Sequence, residues 1–232
     1  MIISTRNPRE EREIEMKKIM NITSTFRGWL GLITFKSSEK YWINRYKEGG
    51  NSGYGSYGKL ARFKADILND FVDKNSVNTT IEYGCGDGHQ LSLAKYPHYI
   101  GYDISPAAIW HNKRTFIDDR TKYFYLLDDY KGEKADLTLS LDVIYHLTED
   151  DVFEKHTTLL FQSSLKYVIV YSTNYDYYSF FDPHIKHRHF TKWVEINLPG
   201  WKLINHIPNK FSRRYLGNSK ADFFIYQNQQ AS

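Results

Sequence analysis

Three groups of residues in this 232-residue chain have types and spacings that could do chemistry. The first is Glu82-Tyr83-Gly84-Cys85-Gly86-Asp87-Gly88-His89, where glycine recurs at every second position behind the short β-prone run Thr79-Thr80-Ile81. Glycine has no Cβ, so such a loop turns tightly and lets backbone N–H groups approach a ligand. The alternation leaves His89 where a dinucleotide fingerprint wants a glycine, so a pyrophosphate is not the expected ligand. The second group is acidic: Glu82, Asp103, Asp128 with Asp129, and Asp142 stand at the ends of β-prone runs. Asp103 lies about twenty residues beyond Glu82, the spacing at which a βαβ unit sets a carboxylate beside ribose hydroxyls. The third group is histidines: His146 just after Asp142, then His184, His187 and His189 interleaved with Lys186 and Arg188. A neutral imidazole can take a proton from an attacking oxygen or nitrogen near pH 7. His146 and His189 are therefore candidate bases, with packed or solvated histidines as the alternative. The basic loop could also meet an anionic acceptor. His and carboxylate ligands, or Asp142 with Asp176 or Asn174, could hold a divalent cation, although none is expected.

These residues need elements to position them. A strand over 79–83 leads into the glycine loop, and Gln90-Leu91-Ser92-Leu93-Ala94 is expected to start a helix, giving a strand–loop–helix unit. Residues 99–105 read as a second strand, and Ser105-Pro106 as an N-cap with proline at N1, opening a helix through 115. Strands follow at 123–127, 135–141 and 167–172, with a helix over 149–164 before the last. Strands alternating with helices, several of them continuously apolar, imply a parallel sheet buried on both faces. Ligands of such sheets sit outside the carboxyl ends of the strands, where the acids gather. Upstream, apolar residues at Leu60, Phe63, Ile67, Leu68 and Phe71 have amphipathic helical spacing. Five glycines among residues 49–58, beside Trp42 and several tyrosines, suggest a lid over the site. Asn7-Pro8 with Glu10 and Glu11 starts a helix over 7–22. The apolar stretch 26–35 is read as core packing or a self-association surface, through which a homodimer could form, ahead of an interfacial membrane contact. Trp193, Trp201 and the run 222–226 are expected in a final antiparallel strand pair. Tyr175-Asp176-Tyr177-Tyr178 with Phe180-Phe181 could form an aromatic wall against a sugar ring or apolar acceptor.

Composition narrows the class. A formal charge of +4 is mild and its basic residues are scattered, so nucleic-acid binding is allowed but not indicated. Cys85 is the single cysteine, which excludes an internal disulfide framework or cysteine zinc site and fits a reducing cytoplasm. No signal-peptide pattern opens the sequence, and 26–35 is too short to span a bilayer.

Over about residues 40–205 the chain resembles the class I S-adenosylmethionine (SAM)-dependent methyltransferases. Glu82-x-Gly84-x-Gly86-x-Gly88 is similar to their motif I, Asp103 to the ribose acid, Asp128 to the acid near adenine, and Ser140-Leu141-Asp142 to motif IV. His146 stands where a family histidine often faces the acceptor. Tyr41-Trp42-x-x-Arg45-Tyr46-x-x-Gly49-Gly50 resembles a cover over the methionine end of the cofactor. The resemblance implies a Rossmann-like, doubly wound, mostly parallel α/β sheet with an N-terminal helical extension. Residues 1–58 would form the extension and lid, and 59–232 the catalytic domain. It further implies SAM as cofactor and S-adenosylhomocysteine (SAH) as product. The contacts would come from Tyr46, Tyr57, Glu82, Gly84, Cys85, Gly86, Asp87, Gly88, Asp103, Ile104, Asp128, Asp129 and Leu141. Catalytic roles would fall to His146, His189 and Asp142. Cys85 departs from the pattern and reads as a small packed residue making backbone contacts. The acceptor suggested is an oxygen of a sugar, glycan or other small molecule. Protein or RNA methylation, or a non-catalytic SAM-binding module, is the alternative. DNA amino-methylation is disfavoured because Asp142-Val143-Ile144-Tyr145 lacks the paired prolines, and cytosine C5 chemistry because no second cysteine exists.

Overall fold

A computed structural model describes residues 35–211 and 219–230. The helix expected over 7–22 and nearly all of the apolar stretch 26–35, with the homodimer contact assigned to it, lie outside the described residues. Strands β1 (Thr79–Tyr83), β2 (His98–Asp103), β3 (Lys122–Leu126), β4 (Ala135–Leu141) and β5 (Ser164–Ser172) pair in parallel. A hairpin of two-residue strands, β6 (Tyr177–Tyr178) with β7 (Lys186–His187), forms a separate small sheet. The chain returns through β8 (Trp201–Ile207) and β9 (Asp222–Asn228), and β9 pairs antiparallel with both β5 and β8. The sheet order is β3-β2-β1-β4-β5-β9-β8. This is the doubly wound, mostly parallel arrangement expected from the alternation of elements.

Among the described residues five α-helices accompany the sheet: α1 (Ser38–Lys47), α2 (Gly58–Lys74), α3 (Pro106–Thr115), α4 (Asp150–Gln162) and α5 (Phe190–Asn197). Local chemistry sets their starts. The Ser37 hydroxyl accepts from the Lys40 N–H to cap α1, and Ser105 caps α3 ahead of Pro106 at its first turn. Every position of β4 is buried, as both faces of the sheet are covered. Alternation along β5 feeds both cores: Ile169 and Tyr171 pack with Leu68 of α2, whereas Val168 and Val170 pack with Phe161 of α4. Each large apolar side chain fully buried in this way contributes about 1.5–3 kcal/mol.

Two expectations are corrected. No α-helix follows the glycine loop. Residues 84–97 connect β1 to β2 with a single 3₁₀ turn, Leu91–Leu93, which goes extended at Ala94. A parallel crossover of about a dozen residues that begins with a glycine turn and ends at Pro97 has no length left for a helix. The face is covered instead by α2 from upstream, whose Asn69 brackets the turn, donating to Leu93 O and accepting from Lys95 N–H. The glycine loop therefore has no helix N-terminus behind it. Trp193 is the second correction: it sits on α5, with its ring edge-on to Phe153, and not on a terminal strand.

Candidate active site

Parallel register brings Glu82, Asp103, Asp128 and Asp142 to one end of the sheet. Glu82 is opposite Gly101 and Asp103 opposite Leu126, while Asp142 follows the last residue of β4. The glycine loop bends there, with Gly84, Gly86 and Gly88 all at positive φ. At Gly86 the conformation and the neighbours both demand glycine, because a Cβ would run into the hydroxyls of Ser52 and Tyr46.

The loop amides are engaged by the protein itself, unlike the sequence expectation of N–H groups turned to a ligand. Gly84 and Cys85 donate to Tyr102 O, Gly86 donates to Asp103, and Asp87 donates to the Ser52 hydroxyl. The loop thus offers a Cβ-free surface. The segment between α1 and α2 straps across it. The Asp87 carboxylate accepts from the Ser52 N–H at 2.8 Å and the Tyr57 hydroxyl at 2.7 Å, and these bonds hold it below the usual carboxylate range despite its burial. Tyr46 bonds Ser52, and Tyr57 stacks on His89 at 4.2 Å. From the other side, Asn112 of α3 donates to Gly86 O at 2.7 Å.

Asp103 is buried and accepts from the Gly86 and Ser105 N–H groups, one on each oxygen, both at 2.9 Å. Burial nonetheless raises its pKa, with the amides opposing. Part-exposed Ile104 and exposed Asp128 and Asp129 border the same strand ends. These residues fit an adenosine group: a carboxylate beside a loop that tolerates no Cβ, an apolar flank, and a solvent-side acid. Asp103→Ala is expected to weaken SAM or SAH binding by about 1.5–3 kcal/mol, the worth of a charged hydrogen bond. Calorimetric titration with SAH reads this directly, and unchanged affinity would remove Asp103 from the site.

Other predicted contacts face inward. Leu141 and Cys85 are both in the core, and burial pushes the Cys85 thiol up, so it is inert. Glu82 accepts from the Tyr99 hydroxyl at 2.7 Å, and burial pushes its pKa up to about 7. Asp142 adopts φ +59, and both of its oxygens are engaged: one pairs with Lys64 at 2.7 Å and the other accepts from the Tyr145 hydroxyl at 2.8 Å. Asn174 bonds Thr191, and Asp176 accepts from the His189 N–H, so neither partners Asp142 in a cation site.

His146 ends the 3₁₀ turn Ile144–His146 and is half-buried among rings. It meets Trp42 edge-on at 4.8 Å, Tyr145 at 4.5 Å and His184 in parallel at 5.8 Å. Its Nδ1 lies 3.1 Å from the His184 carbonyl, which can only accept. Nδ1 therefore carries the proton and Nε2 keeps its lone pair. Burial lowers its pKa to about 4, the His184 carbonyl opposing. The neutral ring is then present above about pH 4 and lost below it. With His146 as the base, the acid limb of kcat/KM would fall near pH 4, not near the usual histidine value of about 6.5. A pH–rate profile with its acid limb at the higher value would exclude this histidine as the titrating base.

The basic loop is rearranged by its own ion pairs. Lys186 and Arg188 both contact Asp150, at 2.6 and 2.8 Å, and Arg188 also donates to the Leu147 and Thr148 carbonyls. Asp150 offsets one of their two charges, and their donors are engaged within the protein. His184 stacks on Tyr41, and His187 shares a bond with Thr173. His189 is exposed at the start of α5, beside Thr191. Tyr177, Tyr178, Phe180 and Phe181 are all exposed.

Four contributors escaped the sequence reading: Ser52, Lys64, Asn112 and Trp42's contact with His146. Lys64 left a signal, standing midway between the buried Leu60 and Leu68 at helical spacing. A lysine on a core stripe implies a buried partner. Asn112, four after Ala108 on a buried face, left a weaker one. Ser52 left none.

A family model described as a methyltransferase domain matches residues 57–218. A curated small RNA 2′-O-methyltransferase of Arabidopsis thaliana is 29% identical over a match covering 51% of this chain and 14% of that protein. The chain thus matches only a minor part of that relative's length. Among solved structures, NodS, an N-methyltransferase of Bradyrhizobium japonicum bound to SAH, has a TM-score of 0.62 at 11% identity, covering 83% of this chain and 99% of that one. The magnesium protoporphyrin IX methyltransferase of Synechocystis with bound SAM gives 0.61 at 13%, covering 84% and 99%. The methyltransferase domain of a bacterial Hen1 gives 0.57 at 17%, covering 73% and 99%. At these identities the likeness establishes the fold. No helix among the described residues is long and apolar enough to cross a membrane.

Proposed function

Starting from a chain that belongs to the methyltransferase-domain family and takes SAM as its methyl donor, we propose that it methylates a hydroxyl of a sugar or other small molecule, with His146 as the base. One observation carries this reading: the His146 imidazole is held neutral with Nδ1 on the His184 carbonyl, leaving Nε2 free beside Trp42. Bound SAM supplies an electrophilic methyl group on a sulfonium. The chain aligns the acceptor oxygen and removes its proton. The proton goes to Nε2, and the His184 carbonyl steadies the resulting imidazolium through Nδ1–H. Trp42 and Tyr41 hold this histidine pair from the α1 side, and α1 is anchored by Ser38, whose N–H and hydroxyl donate to Glu149. The strap contacts Tyr46, Ser52 and Tyr57 cover the glycine loop, and Asp103 with Ile104 and Asp128 borders the place assigned to the adenosine. In this reading Asp142 acts at one remove, fixing Tyr145 against His146.

Transfer of labelled methyl from SAM into a fractionated cell extract tests the acceptor. Label in the carbohydrate or small-molecule pool supports the reading, and label confined to protein overturns it. A second reading, an RNA ribose 2′-hydroxyl, is favoured by the Arabidopsis relative, and label in the RNA pool would select it.

A further inference from the structure

Beside the hairpin lies a cavity of about 540 Å³ that the chemistry above leaves unused. Its size is within the range of ligand sites, about 300–1,000 Å³. Aromatic rings supply its walls: Tyr177 and Tyr178 from β6, Phe153 from α4 and Trp193 from α5. Tyr177 is 59% and Tyr178 44% exposed, so their rings are not held by packing within the protein. The polar lining is balanced in charge. Lys186 and Arg188 face Asp150, and Asp176 accepts one N–H from His189 and keeps lone pairs for a ligand. Such a lining gives a polyanion no attraction. An apolar partner segment would bury Asp176 and Lys186 against carbon, which is costly. A neutral pyranose suits both halves: its C–H face stacks on the rings, and its hydroxyls donate to Asp176 and accept from Lys186.

A run of rings links the cavity to the proposed base. The His187 ring contacts Tyr177 at 6.1 Å, Tyr175 at 4.7 Å and Tyr145 at 5.9 Å, and Tyr145 touches His146. We propose that this cavity is a subsite for a neutral oligosaccharide acceptor, whose reacting ring lies at His146 while a ring farther along the sugar chain stacks on Tyr177 and Trp193. The inference rests on the sugar-hydroxyl reading and extends it from a single sugar to a chain.

The test uses the full chain on an array of neutral di- to hexasaccharides built from glucose, galactose, mannose and N-acetylglucosamine. Retained glycans are then titrated by tryptophan fluorescence. Tyr177→Ala and Tyr178→Ala are compared with wild type, with thermal melting confirming that removal of these exposed rings leaves the fold intact. At least one oligosaccharide is expected to bind, tenfold or more weakly to Tyr177→Ala, and to accept labelled methyl from SAM. Retention of no glycan, or equal retention by both variants, overturns the subsite. Labelling of monosaccharides with no dependence on Tyr177 overturns the subsite alone and keeps the sugar acceptor. Tyr177-dependent binding with no methyl incorporated overturns the placement of the reacting ring and the sugar-acceptor reading together. Tyr177-dependent binding of a single-stranded RNA oligonucleotide in place of sugar overturns the ligand assigned.

Discussion

His146→Ala is expected to lower kcat by about 10²–10⁴-fold, the usual worth of a positioned general base, while SAH affinity stays unchanged. The separation follows from placement. His146 belongs to the exit of β4 and to the ring cluster with Trp42, Tyr145 and His184, whereas Asp103 and the glycine loop lie at the ends of β2 and β1. His146→Gln keeps a hydrogen-bonding side chain of similar reach but cannot accept and carry the proton, so it should be nearly as inactive. Single-turnover rates with saturating SAM, read beside SAH titration, give both quantities. If both variants turn over at the wild-type rate, the base lies elsewhere, and His189 is the remaining candidate from the sequence. A parallel loss of SAH binding would instead make His146 part of the cofactor pocket.

Lys64→Met should be strongly destabilising, costing about 3–5 kcal/mol. Both members of the Lys64–Asp142 pair are nearly inaccessible, with side-chain exposures of 1% and 8%. Methionine fills the space of the lysine stem but leaves Asp142 charged in a dry site, with only the Tyr145 hydroxyl as partner. For a chain of this size the loss corresponds to a melting temperature lower by about 6–20 °C. Adding Asp142→Asn removes the uncompensated charge, and asparagine tolerates the positive φ at that position. The double variant should therefore recover much of the stability, a non-additivity that a double-mutant cycle measures. An unchanged melting temperature for Lys64→Met would show that Asp142 is solvated in solution.

The amino-acid sequence by itself determined the parallel sheet, the succession of its first five strands along the chain, the Ser105-Pro106 helix start and the gathering of acids at the strand ends. These follow from local rules: period and apolar runs fix strands, caps fix helix starts, and a carboxylate just after a strand must lie at its carboxyl end. Its hydrophobic stripe also placed α2 before the first strand. What lay beyond local rules was partner choice. Glu82 and Asp142 look like Asp103 in sequence, yet Glu82 turns to Tyr99 of the neighbouring strand β2, and Asp142 to Lys64, because a helix that precedes the sheet in the chain packs on that face. The three histidines and two cations of residues 184–189 read as one basic loop, but Asp150 takes both cations and rings take two of the histidines. The missing helix after Gly88 was a matter of counting, since the connection to β2 is too short once its turn is formed. Strand, cap and strand-end positions are set within about ten residues of chain. Which charge meets which, and which lone pair of His146 stays free, is set by contacts such as Lys64–Asp142 and His146–His184, across 78 and 38 residues. Only the tertiary structure could decide those, because the energy of a buried charge or imidazole depends on whatever the whole fold places beside it.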